Sequence, residues 1–182
     1  MLFRSIKLYD GRINMIESQE GKVLTSLISY DMETKTIESI KHIPEVIELV
    51  KVIEKNSSIF LNQIGGNTDL YDIKVVNLWI NEMRSGSFMS KHSHYGHVIS
   101  GCYYIDVPQN SGMLRFSNPL AILPKQTVEH KELTMYNSSN INFNVQKGDM
   151  YLWESGLEHE VLATQFDGVR RSIAFDVNIK RK

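Results

Sequence analysis

The 182-residue chain contains a single cysteine, Cys102, and that scarcity closes several routes at once. One thiol cannot form an intramolecular disulfide, nor can it supply the paired cysteines of a zinc finger. A reducing, cytoplasmic compartment fits such a chain. Long hydrophobic runs are missing as well. No stretch approaches the ~18 apolar residues that a membrane-spanning helix requires, and the opening MLFRSIKLYDGRI is too polar for a signal peptide. Neither sign of charge is in excess, since 20 Lys and Arg face 21 Asp and Glu. The nearest thing to a basic run is the terminal IKRK, so generic binding to a nucleic-acid backbone is disfavoured. Internal repeats and low-complexity segments are absent too.

What remains is the composition of one globular domain spanning 1–182, large enough to bury a core. Residues 2–31 alternate in short runs broken by Asp10-Gly11 and Glu20-Gly21, which reads as strands or edge segments. From Ile43 the period changes. Ile43, Val46, Ile47, Val50, Ile53, Phe60, Leu61 and Ile64 recur at three- and four-residue spacing, which predicts a helix with one apolar face. Pro44 suits its first turn and Gly65-Gly66 its end, while Asn56-Ser57-Ser58 is a point where it could break in two. Beyond residue 70 the chain reads as strands: 72–83, 97–107, 112–117, 141–146, 149–154 and 169–179. Short strands between turns predict a mainly β sandwich or jelly roll at 71–182, with 1–70 contributing strands and a supporting helix. The 118–140 stretch, with Pro119 and Pro124, reads as a long loop, either a lid over a site or a disordered insertion.

The chemistry concentrates in HSHYGHVISGCYY, residues 92–104, which holds three of the six histidines. On an extended backbone residues two apart share a face, so His92 and His94 present two imidazoles together. Two neighbouring side chains hold a metal weakly, and the best distant third is His159, about 65 residues beyond His94. Imidazoles suit iron, zinc, copper or nickel, so the ligand type alone does not choose the metal. Eleven residues past His159 comes Arg170, which shares a strand face with Ser172 while Arg171 points the other way. A buried guanidinium beside a hydroxyl can bind a carboxylate through two parallel bonds.

These segments resemble the iron(II)- and 2-oxoglutarate-dependent oxygenases, above all small bacterial and marine-phage members with H-x-H-P-x-S-x-L-S-G-x-Y-Y and a terminal H-x-V…R-x-S-I-A-F. The matching residues are His92, His94, Ser100, Gly101, Tyr103 and Tyr104, then Gly148, His159, Val161, Arg170, Ser172, Ile173, Ala174 and Phe175. Trp79-Ile80-Asn81 resembles the family's W-x-N strand, so the likeness covers about 77–177. It implies a double-stranded β-helix (a distorted jelly roll) that binds Fe(II) and 2-oxoglutarate and consumes O2. His92, His94 and His159 would be the metal ligands and catalytic centre. Arg170 and Ser172 would hold the cosubstrate's distal carboxylate, with Asn81 and one of Tyr103 or Tyr104 in the same pocket. Hydroxylation of a peptide or small molecule, with release of succinate and CO2, is the expected outcome. A homodimer is compatible with it, and a phage origin would make the compartment a host cytoplasm. One departure stands out: His94 occupies the position where most oxygenases of this fold carry Asp or Glu. The third ligand is then His94, a nearby carboxylate or His97, and three imidazoles would leave the iron one unit more positive.

A cupin is the nearest rival, with Gly86 placed for G-x5-H-x-H and Gly148 to His159 resembling the second cupin motif. It lacks the glutamate that should follow the second histidine, where Val98 and Ile99 stand, and Ala163 replaces its trailing asparagine. The non-enzymatic alternative is a jelly-roll binding module whose histidines hold nothing. Cys102, Trp79 and Trp153 read as core, with Trp153 able to reach the pocket rim, and His42 and His130 read as surface.

Overall fold

The computed structural model describes residues 15–17, 24–26, 30–31, 36–37, 43–119, 130–134 and 137–182. The described elements are β1 (Met15–Glu17), β2 (Leu24–Ser26), β3 (Tyr30–Asp31), β4 (Thr36–Ile37), α1 (Pro44–Gln63), a 3-10 turn (Thr68–Leu70), β5 (Tyr71–Met83), β6 (Met89–His92), β7 (Ile99–Asp106), β8 (Leu114–Ser117), β9 (Asn140–Phe143), β10 (Met150–Glu154), β11 (His159–Val161) and β12 (Arg170–Arg181). They form a six-stranded sheet, β1-β2-β5-β12-β7-β10, a four-stranded sheet, β6-β11-β8-β9, and the separate β3-β4 pair. Every described strand pair is antiparallel. Two facing antiparallel sheets with a helix behind the larger one make the double-stranded β-helix that the strand pattern suggests.

The spine is the β5–β12 pair, in register from Arg170↔Met83 to Arg181↔Tyr71, with one irregularity between Asp176 and Val177. β12 pairs on its other edge with β7, so it is central and buried on both faces. Alternation sorts its residues. Ile173, Phe175 and Val177 join Leu78, Ile80, Ile99, Tyr103 and Ile105 in one apolar cluster with Val46, Leu49 and Ile53 of α1. Each of those side chains contributes on the order of 1.5–3 kcal/mol by leaving water. The packing is close enough that Gly101 cannot carry a Cβ, which would fall 2.2 Å from Phe175 Cζ and 2.6 Å from the Tyr151 carbonyl oxygen.

α1 is one uninterrupted helix through Asn56-Ser57-Ser58. Ser57 is buried against the sheet, a small side chain that lets the helix approach, and the Asn56 amide donates back to the Val52 carbonyl (2.8 Å). Pro44 opens the helix, where its missing N–H costs nothing. Gly65, with φ +89°, ends it as the left-handed residue that the turn after Ile64 requires. The buried stripe is Val46, Leu49, Ile53 and Ser57, whereas Ile47 and Ile64 of the expected apolar face are exposed. The six strands expected after residue 70 are present with ends shifted by up to three residues. β6 and β11 were not expected. The proposed loop at 118–140 lies largely outside the described residues, as do most of residues 1–42.

Candidate metal centre

The two sheets bring His92, His94 and His159 together. His159, in β11, pairs with His92 of β6 on one side and with Phe116 of β8 on the other. His94 lies two residues past the end of β6, its backbone N–H donating to the Ser155 carbonyl (2.8 Å). Gly96, with φ +89°, turns the chain beyond it. Ring centroids are separated by 4.3 Å (His92–His159), 5.1 Å (His92–His94) and 5.2 Å (His94–His159). One nitrogen from each ring lies within 4.8 Å of the other two.

Tautomers follow from the hydrogen bonds. His92 Nδ1 lies 2.7 Å from the Ser90 carbonyl and His159 Nδ1 3.0 Å from the Leu157 carbonyl, so both donate. His94 Nδ1 donates to Asp176 Oδ1 at 2.6 Å. With the proton on Nδ1, the atom each ring can offer a metal is Nε2. His159 is also held neutral. Burial lowers its pKa to about 4, and the neighbouring His92 and His94 act in the same direction, opposed by the Leu157 carbonyl and Asp176. Neutral imidazole is the state that ligates. Three pre-oriented imidazole nitrogens therefore fit a first-row transition metal.

From these histidines a cavity runs between the sheets along β12, and register orders its wall. Ala174 sits between Trp79 and Cys102 and Ser172 between Asn81 and Tyr104, and Arg170 pairs with Met83 at the far end; Asp176, between Asn77 and Ser100, continues the same row outside the lining. Six residues separate Arg170 from Asp176, roughly 20 Å of strand. Arg170 is 2% exposed, an extreme position for a guanidinium. Its Nη1 rests 3.0 Å from Met83 Sδ and its Cζ 5.1 Å from the Tyr104 ring centroid, while Nε and Nη2 have no hydrogen-bond partner among the described residues. A buried guanidinium without a carboxylate costs several kcal/mol, so the wall fits an anion entering from the cavity.

Ser172 and Asn81 line this cavity with Arg170, while Arg171 turns away to Glu82 (2.6 Å). Of the two tyrosines, Tyr104 faces the cavity, and Tyr103 is corrected to the opposite face, packed against the helix cluster. Burial raises the Tyr104 pKa well above the phenol's ordinary range, so it is a neutral hydroxyl. Cys102 also lines the wall, its thiol pKa pushed up by burial, which argues against a nucleophile. Trp153 is in the core as expected and also reaches the site, edge-on to His159 (4.7 Å), while Trp79, likewise expected in the core, stacks on His94 (5.6 Å). His97 lies behind the site, its Nε2 3.1 Å from the Asn77 amide nitrogen.

Sequence reasoning missed Asp176 altogether. It is 3% exposed and accepts from His94, Ser100 (2.7 Å) and Asn77 (2.9 Å). Burial would raise its pKa, but these three hydrogen bonds outweigh burial and hold it below the ordinary carboxylate value. A larger hollow, about 590 Å³, opens beside Val107–Met113 and Leu162–Thr164. Its cations are already engaged, Arg115 by Asn142 and Glu160 and Lys147 by Asp106, and it holds no histidine. The histidine cluster and the buried Arg170 both lie in the smaller cavity.

Comparison with known proteins identifies the family and the fold. A family model described as "Putative 2OG-Fe(II) oxygenase" matches residues 77–176, more than half of the chain. No curated protein sequence matches. Among solved structures, an oxidoreductase of the 2OG-Fe(II) oxygenase family from Burkholderia pseudomallei is similar in fold, with TM-score 0.63 and 12% identity over 91% of this chain and 72% of that one. HygX from Streptomyces hygroscopicus, solved with nickel and 2-oxoglutarate bound, has TM-score 0.56 and 10% identity over 92% and 74%. A Pseudomonas putida prolyl-4-hydroxylase has TM-score 0.50 and 16% identity over 93% and 78%.

Proposed function

The chain belongs to the 2OG-Fe(II) oxygenase family, and from that premise we propose that it is a dioxygenase whose own residues His92, His94 and His159 hold Fe(II). In this reading Arg170 and Ser172 bind the distal carboxylate of 2-oxoglutarate. The observation that carries it is the pairing, in one cavity, of a three-histidine cluster with a buried guanidinium two of whose nitrogens have no hydrogen-bond partner among the described residues. A metal site alone would suit a cupin equally. A cupin would not need Arg170.

Each part of the wall has a separable task. Ser90, Leu157 and Asp176 accept the Nδ1–H hydrogen bonds and so aim the three Nε2 atoms. Arg170 supplies charge and a fork of N–H donors at the far end, which fixes the cosubstrate lengthwise. The Ser172 and Asn81 side chains, on neighbouring strands of the same row, offer further hydrogen bonds there. Tyr104 flanks the guanidinium and keeps water from it. Trp79, Trp153 and Phe116 close the metal end with apolar surface. When bound, iron, 2-oxoglutarate and O2 together supply the oxidising chemistry, with succinate and CO2 as by-products and a hydroxylated product as the default outcome. The protein contributes ligation, orientation and exclusion of water. The primary substrate in this reading is a peptide or small molecule.

The test is an anaerobic titration of metal-free protein with Fe(II), then 2-oxoglutarate, following the weak visible band of the chelated keto acid. The band should appear in the natural protein and require far more 2-oxoglutarate in Arg170→Ala. Iron binding without any band would move a cupin-type site ahead. Absence of iron binding would leave the histidines structural.

A further inference from the structure

The three histidines are not equivalent behind the metal. Two of them, His92 and His159, give their Nδ1 protons to neutral backbone carbonyls. His94, the residue standing where a carboxylate ligand is usual, donates its Nδ1 hydrogen bond to the Asp176 carboxylate. We infer that Asp176 supplies, through the ring of His94, the negative charge that an all-imidazole centre would otherwise lack. Asp176 is thus a positioning residue one step removed from the metal. This rests on the reading of His92, His94 and His159 as iron ligands.

Among the described residues, Asp176 is held by hydrogen bonds alone and by no permanent cation. Its ionisable neighbours are His94 at 2.6 Å and His97 at 3.6 Å, and no lysine or arginine pairs with it among the described residues. Its remaining partners, Asn77 and Ser100, are neutral hydrogen-bond donors. Burying a carboxylate without a cation is unfavourable, so folding alone gives little reason to keep one here. A divalent cation beyond the His94 ring offsets that cost, and a hydrogen-bonded carboxylate in turn raises the basicity of the imidazole ligand.

Geometry also makes the pair rigid. Ser100 Oγ is 2.7 Å from Asp176 Oδ1 and 2.9 Å from Ser155 Oγ, and the carbonyl of the same Ser155 receives the backbone N–H of His94. His94 is therefore held at its backbone and at its ring by one closed circuit. The bulge between Asp176 and Val177 marks where β12 departs from regular pairing with β5 as it presents this carboxylate.

The experiment compares anaerobic Fe(II) affinity and the Fe(III)/Fe(II) potential in four proteins: natural, Asp176→Asn, His94→Asp and the double variant. Asp176→Asn keeps the size and removes the charge. It should weaken Fe(II) binding by about 10–100-fold and raise the potential. The double variant moves the single negative charge from behind the metal to its ligand shell, and should return to within a few-fold of the natural affinity. Unchanged affinity and potential in Asp176→Asn would overturn the inference, as would a double variant weaker than both single ones. If Asp176→Asn fails to fold, the double variant against the natural protein decides: affinity within a few-fold of the natural value supports the charge role, and a loss of about tenfold or more refutes it. Failure of the natural protein to bind Fe(II) would instead remove the iron reading on which this rests.

Discussion

Along β12 two rows of side chains are almost equally hidden from solvent, yet they are chemically opposite. Toward α1 stand Ile173, Phe175 and Val177, each 0% exposed; toward the second sheet stand Arg170, Ser172 and Asp176, at 2%, 4% and 3%. The first row is what folding favours, since burying apolar area yields free energy without further conditions. The second row buries a cation and an anion some 20 Å apart along the strand, too far to pair with each other. Burial by itself therefore separates nothing here. Buried charge is what distinguishes the working face from the structural one.

Breaking the working face at its metal end should give the largest change. His159→Ala or His92→Ala is expected to abolish Fe(II) binding in an anaerobic titration. Normal succinate formation by His159→Ala would show that the cluster is not the centre. The structural face should respond in the opposite currency. Phe175→Ala is expected to cost about 3–5 kcal/mol of stability by denaturant titration, since it opens a cavity between α1 and the sheet. Variants that remain folded should bind iron with little change. A Phe175→Ala protein of normal stability would mean that the helix layer contributes little.

Arg170 sharpens the contrast because stability and ligand affinity should move apart. Replacing it by methionine removes a buried cation and leaves apolar volume, a change that is often neutral or stabilising by about 1–4 kcal/mol. The same change should weaken 2-oxoglutarate by about 2–5 kcal/mol, the cost of truncating one partner of a buried charge pair. Thermal unfolding of the metal-free protein and titration of the charge-transfer band read the two effects separately. Joint loss of stability and affinity would mark Arg170 as a structural residue.

The apolar row was legible in the sequence because it repeats: alternation over β5, β7 and β12 and the three-to-four spacing of α1 each extend over many residues. The site was legible where it borrowed that regularity, as with Arg170 and Ser172 on one face. It was illegible where elements are short. β6 (MSKH) and β11 (HEV) have too few residues and too little apolar character to display a period, though each carries a candidate ligand. Strand parity could say that Tyr103 and Tyr104 oppose each other but not which faces inward, since that depends on the side taken by α1. Asp176 was invisible for another reason. Its partners Asn77 and Ser100 lie 99 and 76 residues away and meet it only through the pairing of three strands.

The smallest expected effect is also the control on parity. Arg171 lies next to Arg170 in the chain but turns to the other face of β12, where it pairs with Glu82 at 2.6 Å and approaches Asp106 at 3.6 Å. Its removal leaves the buried Glu82 carboxylate without its nearest cation, so Arg171→Ala should cost about 1–3 kcal/mol of stability. Arg171 does not line the cavity, and the affinity for 2-oxoglutarate should stay within about twofold of the natural value. Two adjacent arginines would then differ in affinity by more than an order of magnitude, with the face of one strand as the cause. If Arg171→Ala weakened the cosubstrate more than Arg170→Ala did, the carboxylate anchor would have to be sought on the helix-facing side of the sheet. The two rows of β12 would then exchange their roles.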